Sequence, residues 1–402
     1  MLKSLVGTWA VGWLGLLTGV VLSYGDSIRP APKASSSAEP DYQTAALDGN
    51  LPVFYELMRD KLNFPLSWAS GNFKNFNEWR KQARAKALEG VRPVVPDHTP
   101  FNARIIDEQE RGTYLARKLV FNLTAESRVL GLMLAPKGKG PFPAVLLLHD
   151  HGSKFDIGKE KMIKPWGDEA KLKSAQSWAD RLLSGRFVGD ELAARGYAVL
   201  AVDALGWGDR GPMTYELQQA LGSNLLNLGS SPAGLMAFED LRSAEFLASL
   251  PEVDPKRIGA LGFSMGSFRT WQVAALSDTI QAGVAVCWMT TAKGVMVPGN
   301  NILRGQSSYW MTQPGLVRHL DFPDVASIAA PKPMLFFNGG QDALFPTDSV
   351  NAAYAKMKQV WQSQRAGEKL TAKLWPDLGH VFLQEQQEEA FAWLDQWLKA
   401  RQ

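Results

Sequence analysis

Hydrophobic positions change their period along the chain, and each change marks a new kind of element. From Leu51 to about Arg92 apolar residues recur at helical spacing: Phe54, Leu57 and Met58, then Trp79, Ala83 and Ala87. Arg80, Lys81, Arg84 and Lys86 take the remaining face, as on a solvated helix. From about residue 115 the pattern alternates between strands and helices. Residues 115–121 and 129–135 read as two opening strands joined by a turn. Ala144-Val145-Leu146-Leu147-Leu148 and Ala198-Val199-Leu200-Ala201-Val202 are continuous apolar runs, the mark of strands covered on both faces. Further strands are expected at 257–262, 282–287, 334–337 and 370–375, and helices at 190–195, 233–250 and 385–398. In the last helix Phe391, Leu394, Trp397 and Leu398 share a side. This order predicts an α/β fold: a mostly parallel central sheet with helices on both faces, entered through an antiparallel pair. Two long segments, 154–189 and 288–330, interrupt the alternation. Both follow strand C-terminal ends, where open α/β sheets bind their ligands.

The first fifty residues follow a different pattern. Lys3 precedes an uncharged stretch from Ser4 to Gly25, which Asp26 ends. A basic start and an apolar middle predict a signal peptide, and the length also suits a membrane anchor. Residues 26–50 hold Arg29-Pro30-Ala31-Pro32-Lys33, a serine triplet and Pro40, a composition expected of a flexible linker. The expected organisation is therefore 1–25 signal peptide or anchor, 26–50 linker, 51–110 helical N-terminal extension and 111–402 main α/β domain. Export to the periplasm or the medium follows from this reading. A retained anchor would also leave the main domain outside the cytoplasm, and it is the only membrane contact expected.

Composition narrows the function. With 402 residues, 46% of them hydrophobic, the chain has ample material for one large core. A net charge of +3, from 43 basic and 40 acidic residues, gives no concentrated basic excess, so nucleic acid is not an expected partner. A single cysteine, Cys287, excludes an internal disulfide and a cysteine-cluster metal site. It lies in an apolar run and is expected to be buried.

The chemistry centres on Gly262-Phe263-Ser264-Met265-Gly266. This is a G-x-S-x-G pattern, flanked by a short apolar strand and a helix-compatible stretch, as a serine on a sharp strand-to-helix turn requires. An attacking serine needs a base for its proton and a carboxylate to hold that base. His380, just after the last expected strand, is the candidate base. Asp342, directly after the strand at 334–337, is the candidate acid, with Asp348 and Asp377 as weaker choices. The oxyanion needs backbone donors. Met265 N–H is one, and Ser153 N–H, in the loop His149-Asp150-His151-Gly152-Ser153, is the other. His149 and His151 also suit a metal pair, but no third or fourth ligand is apparent, so no metal is expected. No organic cofactor is needed.

Gly206-Trp207-Gly208-Asp209-Arg210-Gly211 fits G-x-G-x-x-G, but Pro212 follows at once and no acid stands about twenty residues on. It reads instead as a glycine-rich loop at the border of the site, with Asp203 and Arg210 pairing. Trp166, Trp178, Trp207, Trp288 and Trp310 stand in or near the long loops as a candidate aromatic wall. His151, Trp207 and Trp288 are the candidate substrate contacts.

Taken together, these motifs resemble the α/β-hydrolase superfamily over roughly residues 115–400. Within it the chain looks most like the branch of dienelactone hydrolases, acetylxylan esterases and related acetylesterases. The chain departs from dienelactone hydrolases proper in carrying Ser264 where they carry a cysteine nucleophile. The resemblance implies a serine carboxylic-ester hydrolase working through Ser264, His380 and Asp342 and an acyl-enzyme, on a small or carbohydrate-linked ester. A peptidase or amidase with the same triad, and a binding protein on a hydrolase fold, are the competing expectations.

Overall fold

The continuous apolar runs form the middle of a nine-stranded sheet. The computed structural model describes residues 46–49, 51–91, 98–211, 213–298 and 306–399. The apolar stretch 1–25 and nearly all of the 26–50 linker lie outside the described residues. Among the described residues no helix is long and apolar enough to cross a membrane.

The strands are β1 (Arg104–Arg111), β2 (Tyr114–Asn122), β3 (Arg128–Pro136), β4 (Phe142–Leu148), β5 (Ala198–Val202), β6 (Val253–Phe263), β7 (Ala282–Val286), β8 (Met334–Gly339) and β9 (Leu370–Trp375). Their order across the sheet is β9-β8-β7-β6-β4-β5-β3-β2-β1. Strands β4 to β9 run parallel, and β1, β2 and β3 join antiparallel. In register, Leu148 faces Gly262, Phe263 faces Val286, and Gly339 faces Trp375. The C-terminal ends of β4, β6, β7, β8 and β9 therefore form one continuous edge, the ligand edge of a parallel sheet.

Helices cover both faces: α1 (Phe76–Glu89), α2 (Glu169–Leu182), α3 (Val188–Ala194), α4 (Tyr215–Asn227), α5 (Pro232–Ser249), α6 (Met265–Leu276), α7 (Thr347–Ser363) and α8 (Gln384–Leu398). One core joins Trp79 of α1, Met236 of α5, Phe268 of α6 and Met357 of α7 to the sheet. The other joins Trp178 of α2, Leu192 of α3 and Leu394 of α8 to its opposite face. Phe391, Leu394 and Leu398 are buried as their spacing requires.

The expected all-helical extension 51–110 needs correction at its end. Residues 104–111 are β1, the edge strand of the main sheet. Its sequence, Arg-Ile-Ile-Asp-Glu-Gln-Glu-Arg, is almost wholly exposed, so no period-two burial pattern marked it as a strand. The short helix Tyr55–Asp60 leaves Phe54, Leu57 and Met58 exposed, contrary to their spacing. Helix α1 behaves as read: Trp79, Ala83 and Ala87 are buried, and Trp79 Nε1–H donates to the Leu66 carbonyl at 2.7 Å. Leu47–Asp48 pairs with Leu51–Pro52, so a small ladder crosses the expected boundary at 50. The segment 154–189, read as a long loop, contains α2 and fills part of the second core.

Candidate active site

Ser264 sits where β6 turns into α6, with φ 56° and ψ −122°. A non-glycine residue at positive φ is strained, and here the strain is enforced from both sides. The Ser264 N–H donates to the Val286 carbonyl of β7 at 2.8 Å. A Cβ on Gly262 would stand 2.2 Å from the Gly266 carbonyl oxygen, and one on Gly266 would stand 1.9 Å from that of Leu148. The two glycines let helix, turn and β4 close on one another, which pushes the serine side chain out at the sheet edge.

The structure brings together the three side chains singled out in sequence. His380 Nε2 lies 2.8 Å from Ser264 Oγ, and His380 Nδ1 lies 2.6 Å from Asp342 Oδ2. A carboxylate only accepts, so Nδ1 carries the proton and Nε2 accepts from the serine hydroxyl. The Asp342 side chain is buried, and its Oδ1 accepts from the Leu344 N–H at 3.0 Å. The His380 ring packs against Phe263 and Phe345. Cys287, the residue after β7, is buried beside this pair, and burial pushes its thiol pKa up.

A cavity of about 220 Å³ opens over Ser264. His151, Gly152, Trp288, Ser307, Met311, Leu344, Phe345 and His380 line it with the serine. Two of the expected substrate contacts, His151 and Trp288, are therefore at the cavity, and the third is not. Trp207 is fully buried and does not line it. Its glycine-rich loop folds inward, and its Nε1–H donates to the His151 carbonyl at 2.8 Å from behind. The aromatic wall reduces to Trp288. Trp166 lies under Arg111 and Lys118, Trp178 under Lys161 and Arg181, and Trp310 behind Gln218.

Ser153, expected to give the second oxyanion donor, is exposed and does not line the cavity; its neighbours His151 and Gly152 do. Met265 heads α6, where first-turn amides have no intrahelical partner.

His149 and His151 do not converge as metal ligands. His149 Nε2 accepts from the Ala204 N–H at 2.9 Å, and its Nδ1–H donates to the Asp150 carbonyl at 2.8 Å. His151 Nε2–H donates to Gln218 Oε1 at 2.7 Å. Burial holds both pKa values low, that of His151 at about 4, so both rings are neutral. The expected Asp203–Arg210 pair is also corrected. Arg210 forks onto both oxygens of Glu239 and reaches only the backbone carbonyl of Asp203. Asp203 pairs instead with the fully buried Lys159 at 2.6 Å. Glu160, Asp203 and Asp209 cluster closely enough to share a cation, and the Lys159 ammonium already stands among them.

Sequence reasoning missed Lys161, Gln218, Met311 and Phe345. Phe345 follows Asp342 in the same loop. Lys161 belongs to Gly158-Lys159-Glu160-Lys161, a charged stretch between Ile157 and Met162 that an apolar neighbourhood could have flagged.

Comparison with known proteins gives a consistent picture. The model of the dienelactone hydrolase family matches residues 184–402. A protein described as "Putative hydrolase YtaP", from Bacillus subtilis (strain 168), is 29% identical over 316 residues, covering 78% of this chain and 99% of that protein. Among solved structures, one described as "a putative acetyl xylan esterase" from Bacteroides fragilis NCTC 9343 matches with a TM-score of 0.61 at 20% identity, over 80% of this chain and 81% of that one. A CE15 glucuronoyl esterase from Teredinibacter turnerae T7901 matches with a TM-score of 0.59 at 13% identity, over 84% and 89% of the two chains. At these identities the two structures speak for the fold.

Proposed function

The chain belongs to the dienelactone hydrolase family, and we propose that it is a serine esterase acting on small or carbohydrate-linked carboxylic esters. The observation that carries this reading is the place of His380, within hydrogen-bond reach of Ser264 on one side and Asp342 on the other. Ser264 Oγ adds to the ester carbonyl carbon as its proton passes to His380 Nε2. Asp342 holds the ring and stabilises the imidazolium. The carbonyl electron pair moves onto oxygen, and the oxyanion is met by Met265 N–H and by an amide of the 151–152 loop. Collapse expels the alcohol, which takes the proton from His380 and leaves an acyl-Ser264. Water then gives its proton to His380 and attacks the acyl carbon. The second collapse returns a proton to Ser264 and frees the acid.

The cavity favours a short, uncharged acyl group. Trp288, Met311, Leu344 and Phe345 give it apolar walls, and no lysine or arginine stands among its described lining residues. A substrate carboxylate would have no cation to pair with there. Together with the serine in place of cysteine, this argues against dienelactone itself. A protein of the same fold is described as a putative acetyl xylan esterase, which supports a sugar-linked alcohol group, and another as a glucuronoyl esterase, in which the sugar is the acyl part.

The test compares 4-nitrophenyl acetate, acetylated xylo-oligosaccharides and aminoacyl 4-nitroanilides with the purified chain. The expected result is acetate release from the esters, with kcat/KM at least about 100-fold above that for the anilides, a difference of about 2.7 kcal/mol. Preferred cleavage of the anilides would make the protein an amidase, and turnover of neither class would leave a binding protein.

A further inference from the structure

Lys161 takes no part in the proton transfers, yet its side chain is almost wholly buried directly behind the loop that faces Ser264. Its Nζ lies 3.0 Å from the His151 carbonyl oxygen, 3.4 Å from that of Asp150 and 3.0 Å from Asp150 Oδ1. Two more donors reach the same carbonyls. His149 Nδ1–H donates to that of Asp150, and Trp207 Nε1–H to that of His151, each at 2.8 Å. Asp150 Oδ2 accepts from Trp178 Nε1–H at 2.9 Å, so the carboxylate is held on the same side.

Peptide planarity gives this crowding a consequence. In a trans peptide the C=O of one residue and the N–H of the next point in opposite directions. With the Asp150 and His151 oxygens drawn toward Lys161, the His151 and Gly152 amides turn the other way. Those two residues line the cavity over Ser264. Gly152 makes the turn possible: its φ is +45°, and a Cβ there would stand 2.4 Å from the Trp178 ring and 3.1 Å from Lys161 Nζ. Two successive amides aimed to one side form a concavity that suits an anion.

We propose that Lys161 is a positioning residue for the oxyanion site, gathering the Asp150 and His151 carbonyls behind the loop so that the His151 and Gly152 amides face the tetrahedral intermediate on Ser264. It touches no substrate and acts through the backbone. A carbonyl that accepts a hydrogen bond polarises its own peptide, so the amide beyond it becomes a better donor. The inference rests on Ser264 being the nucleophile.

Lys161→Met alone would strand the Asp150 carboxylate, so the first variant is Lys161→Met/Asp150→Asn, neutral at both positions. Trp207→Phe, which removes the other donor to the His151 carbonyl and keeps the ion pair, is used if the double variant does not fold. Active sites are counted by complete labelling with a fluorophosphonate, and kcat is expressed per labelled site. Loss of an oxyanion donor's alignment should lower kcat by about 100-fold for the double variant and about 10-fold for Trp207→Phe. KM should stay within about threefold, and affinity for n-butylboronic acid, which forms a tetrahedral serine adduct, should fall in step with kcat/KM. A purely structural lysine would reduce the labelled fraction or the melting temperature and leave kcat per site and boronate affinity at wild-type values. That result would overturn the inference. A wild-type protein that neither labels nor hydrolyses esters would instead remove the esterase reading beneath it.

Discussion

Gly262 and Gly266 meet across the turn that carries Ser264, so closely that a Cβ on the first would stand 2.2 Å from the carbonyl oxygen of the second. The obstacle is backbone, which no rotamer can move. Gly266→Ala should therefore prise α6 from β4, costing about 3 kcal/mol and most of the activity. The strain at Ser264 itself is a separate quantity. At φ 56° glycine is far more at ease than alanine. Both Ser264→Gly and Ser264→Ala should be inactive, with the glycine variant more stable by about 1 kcal/mol in urea unfolding. Equal stability would mean that the turn stores no strain.

Met311 separates two apolar spaces. It lines the cavity over Ser264, and it also lines a neighbouring one of about 150 Å³ with Phe268, Met296 and Phe322. Trp288 completes the partition. Its Nε1–H reaches Met311 Sδ at 2.8 Å, and its ring packs against Phe345 of the cavity over Ser264 and against Phe268 and Phe322 of the neighbouring one. Wild-type activity should fall steeply beyond a butyryl group. Met311→Ala should join the two spaces and raise kcat/KM for hexanoyl and octanoyl esters by about 10-fold or more, since each buried methylene contributes about 0.8 kcal/mol. A 4-nitrophenyl ester series checks this, and an unchanged chain-length profile would show that Met311 is not the limit.

How far the sequence disclosed the site depended on what carried each feature. Ser264 and Asp342 were readable as candidates because each follows a strand with a clear apolar run, and His380 because it stands after the last strand, Leu370–Trp375, and before the closing helix. Ser153 lies exposed outside the cavity, whereas its neighbours His151 and Gly152 line it. The sequence could not show this, because the loop turns on a positive φ at Gly152 and its His151 carbonyl is held by Lys161 and Trp207, donors 10 and 56 residues away from His151 in sequence. Trp207 looked like a substrate contact because aromatic residues in glycine-rich loops give no sign of which way the loop folds. Asp203 and Arg210 are close in the chain, but Asp203 found its cation at Lys159, 44 residues earlier. Strand β1 escaped because an exposed edge has no apolar alternation to show.

The neutral histidines of the 149–151 loop, His151 at the cavity and His149 buried, give the protein an acid limit. Burial, the largest cause, lowers the His151 pKa from 6.5 to about 4 and holds that of His149 low as well. Between these values the unfolded chain binds more protons than the fold, so stability is lost as the pH falls from about 6.5 to about 4. For His151 the loss amounts to about 3 kcal/mol. His151→Gln should flatten the dependence of unfolding free energy on pH across this window. An unchanged slope in urea titrations at pH 4.5, 5.5 and 6.5 would show that His151 does not contribute to it.

The central claim is that Ser264 is the nucleophile activated by His380. The most direct measurement is peptide mass spectrometry of the protein after reaction with a fluorophosphonate, on wild type, Ser264→Ala and His380→Ala. The account predicts a single adduct on Ser264 in wild type, none in Ser264→Ala, and labelling slowed by at least about 1,000-fold in His380→Ala. An adduct on another residue, or labelling that persists in Ser264→Ala, would contradict it.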